Sequence, residues 1–319
     1  MSVVSLLKPL LEENLSLQQQ CQLLEKINLY ALDGEHLFQA VEYIYTLTHV
    51  PQKTHDALDI VGTGGDQQGL FNISTTCSFV IAGMGIPVLK HGNIKMSSQS
   101  GSIDCLNKLS IKYPQTLSAA KEQFNQIQLS FLLASHFYSI FSKVRDARKK
   151  LAEKNTYSIF NLLGPLLNPL RPTHQLIGVS KKEFLIPMSE ALFLLKRKAL
   201  VFCCQHTDEL IPGEDMHIMS VDQKGYKKTH FDYTKQAIAP IHISALKGGT
   251  PDDNAQILLN ILQNKTTGAL SNVILFNAAF ADMLYSSETS FDASYLKAQN
   301  SLQFGNALKK FYEVRNYDS

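Results

Sequence analysis

The sequence predicts an α/β protein with a small N-terminal α-helical domain and a larger α/β domain whose sheet is mainly parallel. The first 56 residues show only helical periodicity, whereas short apolar runs followed by glycines and helical patterns begin at Leu58. Buried strands that alternate with helices are typical of a parallel sheet covered by helices. We therefore assign residues 1–56 to the helical domain and residues 57–319 to the α/β domain.

The composition is that of an ordinary globular protein. The chain has 319 residues, of which 45% are hydrophobic, so it can bury a full core. Its 30 basic and 28 acidic residues nearly cancel, which argues against nucleic-acid or membrane binding. No apolar run could span a bilayer, and the N-terminus contains Lys8, Glu12 and Glu13, unlike a signal peptide. We expect a cytoplasmic protein whose five cysteines are reduced, because none forms a C-x-x-C pair.

The N-terminal region is predicted to form amphipathic helices. Ser16 and Gln19 have the spacing of a capping box, which indicates that one helix begins there. A second helix is expected after Gly34, where Leu37 and Ile44 lie on one apolar stripe. Each helix would have an apolar face to bury against another lobe or another subunit.

Two units of strand, loop and helix are predicted in the rest of the chain. In the first, a strand at 58–61 leads through glycines to a helix capped by Ser74. In the second, a strand at 175–179 leads to a helix capped by Ser180 and Glu183. Further strands are expected at 87–89 and 200–204, and further helices at 252–263, 277–285 and 302–312.

The most informative loop follows the first strand. It contains Gly-Thr-Gly-Gly-Asp at 62–66 and leads into Asn-Ile-Ser-Thr at 72–75, where a helix begins. Glycines there let backbone N–H groups approach a diphosphate, and the helix N-terminus adds donors and partial positive charge. Asp66 would repel a phosphate, so it requires a ribose hydroxyl, a cation or a backbone donor. The alternative is a glycine-rich turn in which Asp66 and Asn72 satisfy their own backbone.

The next predicted strand ends in Lys90, His91, Gly92 and Asn93, and a serine-rich run follows at 97–102. Loops after neighbouring strands of an open α/β sheet face the same crevice. Lys90 would supply a point charge for phosphate, and Asn93 paired hydrogen-bonding groups. His91 by itself is more often structural than catalytic. The serine run is either a flexible surface loop or a phosphate clamp.

Two adjacent acids, Asp208 and Glu209, follow the buried strand at 200–204. Such a pair is common on protein surfaces and carries little weight alone. At the carboxyl end of a strand, however, two hard oxygen ligands fit Mg²⁺, which prefers a few carboxylates together with substrate phosphates. The hydroxyl of Ser74 could complete this set of ligands.

Two arginines, Arg145 and Arg148, lie in a basic helical stretch at 143–150. A run of charges is usually a solvated helix face. One arginine facing inward would instead present a planar fork to a small carboxylate. The segment 160–169, which contains Asn-Leu-Leu-Gly-Pro, is predicted to be a helix end with a tight turn and needs no ligand.

Together these motifs resemble those of the anthranilate phosphoribosyltransferase (TrpD) family, in order from about Leu58 to the C-terminus. The resemblance implies a nucleoside phosphorylase/phosphoribosyltransferase-like fold, in which a segment near 139–165 completes the helical domain. It implies a homodimer formed through that domain. It further implies magnesium-dependent transfer of ribose 5-phosphate from PRPP to the amine of anthranilate, giving N-(5-phosphoribosyl)anthranilate and pyrophosphate in tryptophan biosynthesis.

The resemblance also implies a role for each matching residue. No dedicated general acid or base is expected, because the aromatic amine of anthranilate is mostly unprotonated at neutral pH. Magnesium, as two ions per subunit, would be held by Ser74, Asp208 and Glu209. Anthranilate would meet Gly62, Asn93 and Arg148, with Arg145 as the fallback partner of its carboxylate. PRPP would contact Gly62, Gly65, Asp66, Asn72, Ile73, Ser74, Thr75, Lys90, His91, Gly92, Asn93, Ser97, Ser98 and Ser102.

The chain departs from the family pattern at Leu70, Ile94, Gln99 and Tyr138, the last in place of an expected histidine. These changes fall partly on the acceptor side, and the N-terminal lobe is shorter than usual. Three alternatives follow: another aromatic amine as acceptor, a pyrimidine nucleoside phosphorylase, or a TrpD-like binding module without catalysis. The lysine-histidine loop and the acidic pair argue against the phosphorylase. The near-neutral charge argues against a nucleic-acid-binding module.

Overall fold

The structure, a computed structural model, describes residues 2–64, 68–92, 102–154, 156–205, 207–236, 238–288 and 290–317. Its strands are β1 (His55–Gly62), β2 (Val88–Gly92), β3 (Leu129–Leu133), β4 (Pro172–Gly178), β5 (Lys198–Cys204), β6 (Met216–Asp222) and β7 (Gly225–Thr229). Its helices are α1 (Val3–Glu12), α2 (Leu17–Asn28), α3 (Gly34–Leu47), α4 (Ile73–Gly83), α5 (Ser102–Lys108), α6 (Leu117–Ile127), α7 (Ala134–Phe137), α8 (Arg145–Glu153), α9 (Ile159–Leu166), α10 (Leu185–Leu194), α11 (Pro251–Leu262), α12 (Ala269–Ser286), α13 (Phe291–Gln303) and α14 (Asn306–Arg315).

The strands form one sheet in the order β3-β2-β1-β4-β5-β6-β7. Strands β1 to β5 are parallel to one another. The antiparallel hairpin of β6 and β7 extends the sheet beyond β5. In the centre of the sheet, Gly62 at the end of β1 pairs with Gly178 at the end of β4. The predicted α/β class with a mainly parallel sheet is therefore confirmed.

Two large hydrophobic cores cover the two faces of the sheet. One contains α4 and α12, with Phe79 and Phe276 fully buried. The other joins the N-terminal helices to α8, α9 and α10, and Leu7, Leu163 and Met188 are among its members. The N-terminal helices are thus held on the sheet by an apolar core shared with α9 and α10. The division into domains at residues 56 and 57 stays a prediction.

Several predicted helix boundaries are wrong. Ser74 does not cap α4 but lies in its first turn, because the helix already begins at Ile73, after Asn72. Ser180 does not cap a helix: α10 begins later, after a short 3-10 turn at Lys182–Phe184, because the Ser180 backbone and hydroxyl bond elsewhere.

The helix expected at 277–285 belongs to the longer α12. The helix expected at 302–312 is divided between α13 and α14, since Gly305 has a φ of 73° and interrupts it.

All five cysteines are unpaired and four are buried, and their reduced state stays a prediction. No helix within the described parts of the chain combines the length and the apolar character needed to cross a membrane.

Candidate active site

The carboxyl ends of β2, β1, β4 and β5 lie side by side along one edge of the sheet. Because these strands are parallel and adjacent, Gly62, Gly92, Gly178 and Cys204 lie along one edge, which is where a parallel α/β sheet forms its ligand crevice. Three of the predicted groups come from the ends of these strands or the loops after them: the glycine loop, the lysine-histidine segment and the acidic pair. The sheet order therefore brings together motifs that are far apart in sequence.

The acidic loop makes direct contact with the glycine loop. The backbone N–H of Gly64 donates to a carboxylate oxygen of Asp208 at 2.7 Å. Two glycines make this approach possible. A Cβ on Gly62 would overlap the Asp208 carboxylate, 2.7 Å from its Cγ, and a Cβ on Gly178 would overlap the Asp208 carbonyl. The reason for glycine at these positions is space rather than backbone conformation.

A buried asparagine holds the far side of the acidic loop. Asn277, in the middle of α12, donates to the carbonyl of Leu210 at 2.8 Å and accepts from the Leu210 N–H at 3.4 Å. It also donates to the Val273 carbonyl, so its whole side chain is used. Asp208 and Glu209 are thus fixed between the glycine loop and a rigid helix.

Lys90 lies beneath the glycine loop rather than on the surface of the crevice. Its ammonium donates to the Ile60 carbonyl at 2.7 Å and to the Ser74 hydroxyl at 3.1 Å, and the side chain is buried. Burial lowers the pKa of Lys90, although the nearby carboxylates of Asp59 and Glu209 oppose that shift. The lysine therefore supports Ser74 at the N-terminus of α4.

The His91 side chain is occupied within the protein. Its Nδ1 lies 2.6 Å from an Asp59 carboxylate oxygen and its Nε2 lies 2.7 Å from the Gly164 carbonyl. Both neighbours are acceptors, and the ring is buried. This geometry does not favour the predicted contact between PRPP and the imidazole, so a ligand would meet the backbone of residues 91–92. The structural interpretation of His91 fits better.

Asp59 is the centre of a buried polar network. Burial would raise its pKa, but His91, Lys90 and the amide of Asn168 stabilise the carboxylate, and the net shift of the pKa is downward. Gln175 donates to Asp59 at 3.4 Å and accepts from Arg197. The network thereby ties β1 and β2 to the turn after α9.

The N-terminus of α4 offers unused polar groups to the crevice. Asn72 precedes the helix without forming a side-chain cap, and its buried Oδ1 has no hydrogen-bond partner among the described residues. The buried hydroxyl of Thr75 likewise has none within those ranges. The first backbone N–H groups of a helix have no intrahelical acceptor. This helix start can therefore bind an anion, as the sequence predicts for residues 72–75.

A second chain segment fixes the approach to α4. Leu70 pairs with Lys247 in an antiparallel bridge, and the Phe71 N–H donates to the Leu246 carbonyl at 3.0 Å. Gly248 is needed here, because its Cβ would lie 2.9 Å from the Cα of Phe71. Leu70, one of the departures from the family pattern, is thus part of a backbone clamp.

The two candidate arginines have opposite environments. Arg145 is exposed, whereas Arg148 is mostly buried and its guanidinium lies 5.4 Å from the centre of the Phe160 ring. Burial lowers the pKa of Arg148 to about 10, and Tyr157 opposes the shift. The buried Nε has no acceptor among the described residues. The arrangement supports Arg148 rather than Arg145 as the binding group for a carboxylate.

Three residues that sequence reasoning missed, Thr63, Tyr157 and Ser180, join Arg148 to the acidic loop. The Thr63 hydroxyl donates to Ser180 at 3.5 Å, and Ser180 donates to the Tyr157 phenol oxygen at 3.4 Å. Thr63 stands inside the predicted loop, but no local pattern distinguishes Tyr157 or relates Ser180 to it. The pairing of β1 with β4 brings Thr63 beside Ser180, and Tyr157 reaches Ser180 from the segment before α9.

Tyr138, the other departure on the acceptor side, is only 1% exposed and stacks on Phe141 at 5.5 Å. Its hydroxyl has no hydrogen-bond partner in the described part of the chain. Burial raises its pKa well above the usual value. Tyr138 belongs to the apolar core behind Phe160.

Some predicted site residues fall outside the described ranges. These are Gly65, Asp66, Asn93, Ser97 and Ser98, and the side chain of Ser102. The departures Ile94 and Gln99 also fall there.

The described residues fit a magnesium site completed by substrate. No cluster of three or more His, Cys, Asp or Glu side chains surrounds one metal position among them. Asp208 and Glu209 nevertheless lie at the same edge as Ser74, and Glu209 is close enough to Cys77 to raise the pKa of its thiol. Two carboxylates and a hydroxyl are hard ligands that suit Mg²⁺ when phosphate oxygens supply the rest.

The chain is similar in sequence to known proteins over most of its length. The pattern of the glycosyl transferase family, a/b domain, matches residues 54–308. A Staphylococcus epidermidis anthranilate phosphoribosyltransferase is 32% identical over 314 residues, which cover 97% of this chain and 94% of that protein. One from Desulfitobacterium hafniense is 36% identical over 253 residues, covering 79% and 74% respectively.

Solved structures agree with these relatives. The crystal structure of anthranilate phosphoribosyltransferase (TrpD) from Thermus thermophilus superposes with a TM-score of 0.86 and 28% identity, over 98% of this chain and 93% of that chain. The Saccharomyces cerevisiae enzyme, in complex with PRPP and Mg, has a TM-score of 0.84 and 23% identity over 98% and 90%. At 23% identity, the similarity to the yeast enzyme establishes only that the two proteins share a fold.

Proposed function

Since the chain belongs to the anthranilate phosphoribosyltransferase family, we propose that it transfers the 5-phosphoribosyl group of PRPP to the amine of anthranilate. The products are N-(5-phosphoribosyl)anthranilate and pyrophosphate, in tryptophan biosynthesis. One observation carries the proposal: Asp208 of the acidic loop bonds to Gly64 of the glycine loop. This contact supports magnesium binding by the acidic loop next to diphosphate binding by the glycine loop, and the mostly buried Arg148 supports an acceptor site nearby.

The PRPP half of the site uses the backbone more than side chains. We propose that Gly62, Gly65 and the first turn of α4 bind the diphosphate, with Asp66 on the ribose or a bridging cation. The N–H groups of residues 72–75 and the hydroxyls of Ser74 and Thr75 stabilise the charge that grows on the leaving group. Lys90 acts through Ser74, because its ammonium already donates to that hydroxyl. The remaining proposed contacts are His91, Gly92, Asn93, Ser97, Ser98 and Ser102.

Magnesium would be held by Ser74, Asp208 and Glu209, with two ions per subunit. When bound, it neutralises the departing pyrophosphate and raises its leaving ability. Gly178 leaves room for the backbone of the acidic loop, and Asn277 fixes that backbone at Leu210. A yeast enzyme of the same fold has been solved in complex with PRPP and Mg, which is consistent with the use of magnesium.

Anthranilate would lie between Gly62, Asn93 and Arg148. The guanidinium would pair with the acceptor carboxylate, for which its buried Nε lacks a partner within the described chain. The amine then attacks the ribose carbon as pyrophosphate departs. No side chain need remove its proton beforehand, so positioning supplies most of the rate. A yeast relative in complex with 4-fluoroanthranilate is consistent with this acceptor class.

The helical region would form the homodimer. We propose this because Leu29 and Leu32, which follow α2, are 83% and 58% exposed. Exposed large apolar side chains in neighbouring positions are typical of an interaction surface. We also propose that residues 1–56 and a segment near 139–165 form one domain, and that the protein works in the cytoplasm.

The test is fluorescence-monitored consumption of anthranilate with PRPP and magnesium. We expect turnover by the wild type and loss of turnover in an Asp208→Ala/Glu209→Ala double variant that still melts cooperatively. Glu122→Ala, an exposed acid on α6, is the matched control and should keep full activity. Absence of turnover in the folded wild type, with PRPP binding retained, would overturn anthranilate as the acceptor.

A further inference from the structure

Tyr157 lies at the centre of the acceptor side of the crevice, although it belongs to none of the sequence motifs. It precedes Ser158, which caps α9, and its ring lies 4.7 Å from that of Phe184. The side chain is half-buried. A polar side chain between two charged groups of the candidate site is well placed to contact a ligand.

On one side, Tyr157 is joined to the loops that approach the magnesium ligands. Its phenol oxygen accepts from Ser180, and Thr63 is also within hydrogen-bonding reach. The Ser180 N–H donates to the Thr63 hydroxyl at 3.1 Å, which locks the pair. Thr63 directly precedes Gly64, the donor to Asp208.

On the other side stands Arg148. Its guanidinium lies 5.4 Å from the centre of the Phe160 ring, in the first turn of α9, and Tyr157 directly precedes the cap of that helix. The charge of Arg148 acts on the Tyr157 phenol.

Burial raises the pKa of Tyr157 to about 12; the bonds from Ser180 and Thr63 oppose the shift, Asp208 adds to it, and Arg148 lowers it. The phenol is therefore protonated at neutral pH. A phenol can accept a hydrogen bond from Ser180 and donate its own proton at the same time, so the phenol proton can point toward a ligand.

The backbone around Tyr157 is held in place by the helical region. The side chain of Asn28, at the end of α2, donates to the Tyr157 carbonyl at 2.9 Å and accepts from the Ile159 N–H at 2.8 Å. Ser158 and Asn161 form a capping box in the next turn. The phenol is thus preorganised, and a ligand would not have to order it.

We propose that Tyr157 is a second recognition group for the acceptor carboxylate, with its hydroxyl donating to one oxygen while Arg148 pairs with the other. The inference rests on the proposed function and extends it. A guanidinium alone attracts any small anion. A guanidinium with a fixed phenol donor beside it selects a carboxylate of defined orientation, which positions the neighbouring amine.

The test is the Tyr157→Phe variant, which removes the hydroxyl and keeps the ring against Phe184. One hydrogen bond to a charged group corresponds to about 10-fold to 100-fold in affinity. We therefore expect the KM for anthranilate to rise by about that factor, with the KM for PRPP unchanged. Tyr226→Phe, on the exposed hairpin strand β7, is the matched control and should change neither constant.

A second substrate separates recognition from general damage. Aniline keeps the amine but has no carboxylate or carbonyl group to accept a hydrogen bond, so the wild type should use it less well than anthranilate. The preference is the ratio of kcat/KM for anthranilate to kcat/KM for the second substrate. In Tyr157→Phe this ratio should fall by the same factor by which the KM for anthranilate rises, because both quantities depend on the same hydrogen bond. An unchanged preference, or an equal loss for PRPP and anthranilate, would overturn the role of Tyr157.

The outcome for the wild type separates this inference from the proposed function. If the wild type neither binds nor consumes anthranilate in the presence of PRPP, both are overturned. If the wild type consumes anthranilate and Tyr157→Phe does so with the same KM, the reaction stands and only the inference about Tyr157 is wrong.

Discussion

Replacing Gly178 with alanine should abolish most of the activity while leaving the fold intact. Gly178 ends β4, and its missing side chain makes room for the acidic loop. A Cβ there would overlap the Asp208 carbonyl oxygen and lie 2.5 Å from the carbonyl carbon. Ordinary contact begins at 3.4 Å, so the carbonyl carbon of Asp208 must retreat by about 1 Å and its oxygen by more.

The magnitude follows from that displacement. A shift of about 1 Å in a positioned group can cost about 100-fold in rate, because reacting groups leave their productive geometry. Overpacking of this kind destabilises a protein by about 1–3 kcal/mol. A typical domain has about 5–15 kcal/mol of stability, so the variant should remain folded. Gly178→Ala should therefore lose about 100-fold in kcat/KM with a small decrease in Tm.

The assay is kcat/KM for anthranilate across a magnesium titration, together with a thermal melt. Gly164→Ala is the matched control, because a Cβ at Gly164 meets no atom within 4 Å and alanine suits the helix α9. The control should keep its activity within about twofold. A folded Gly178→Ala protein with wild-type kcat/KM, or an equal loss in both variants, would refute the reasoning.

Three further perturbations test other parts of the site. Asn277→Ala should raise the magnesium concentration needed for half-maximal activity and destabilise the fold by about 1–3 kcal/mol, because the buried Leu210 backbone loses its hydrogen-bond partners. A magnesium titration measures the first effect and a thermal melt the second. Arg148→Ala should raise the KM for anthranilate by at least about 10-fold and Arg145→Ala should not, since Arg145 is exposed; equal effects would contradict the assignment. The pKa of Asp59 is lowered from 3.8 in the folded protein, so its carboxylate stabilises the fold above that value and loses this effect as the pH falls below it. The Tm difference between wild type and Asp59→Asn should therefore shrink between about pH 5 and about pH 2, and a constant difference would contradict it.

The strand and helix pattern was predictable because each signal is local. An apolar run followed by glycines and a helix start predicts a strand, a loop and a helix whatever the rest of the protein is. The strands β1 and β2 and the helix α4 are found in the predicted order and close to the predicted positions. Ser180 shows the limit of this reasoning. Its spacing to Glu183 is that of a capping box, yet tertiary contacts with Thr63 and Tyr157 take its hydroxyl. The division of α13 from α14 at Gly305 was missed, since a lone glycine does not always end a helix.

The roles of individual site residues were less predictable than the motifs that contain them. His91 and Lys90 belong to a recognisable loop, but the structure buries both and gives them internal partners. Tyr157 has no motif and still lies next to the candidate arginine. Sequence patterns indicate which loop meets a ligand, whereas burial decides which of its side chains can do so.

By itself, the sequence determined the α/β class, the glycine loop, the acidic pair and the family to which they belong. These depend on residue types and spacings within short segments. Only the tertiary structure decided that Asp208 contacts Gly64 and that Arg148 rather than Arg145 faces inward. It also decided that Tyr157 lies near both Arg148 and Asp208. Those contacts join residues separated by many positions, and they exist because the strand order places β1, β4 and β5 side by side.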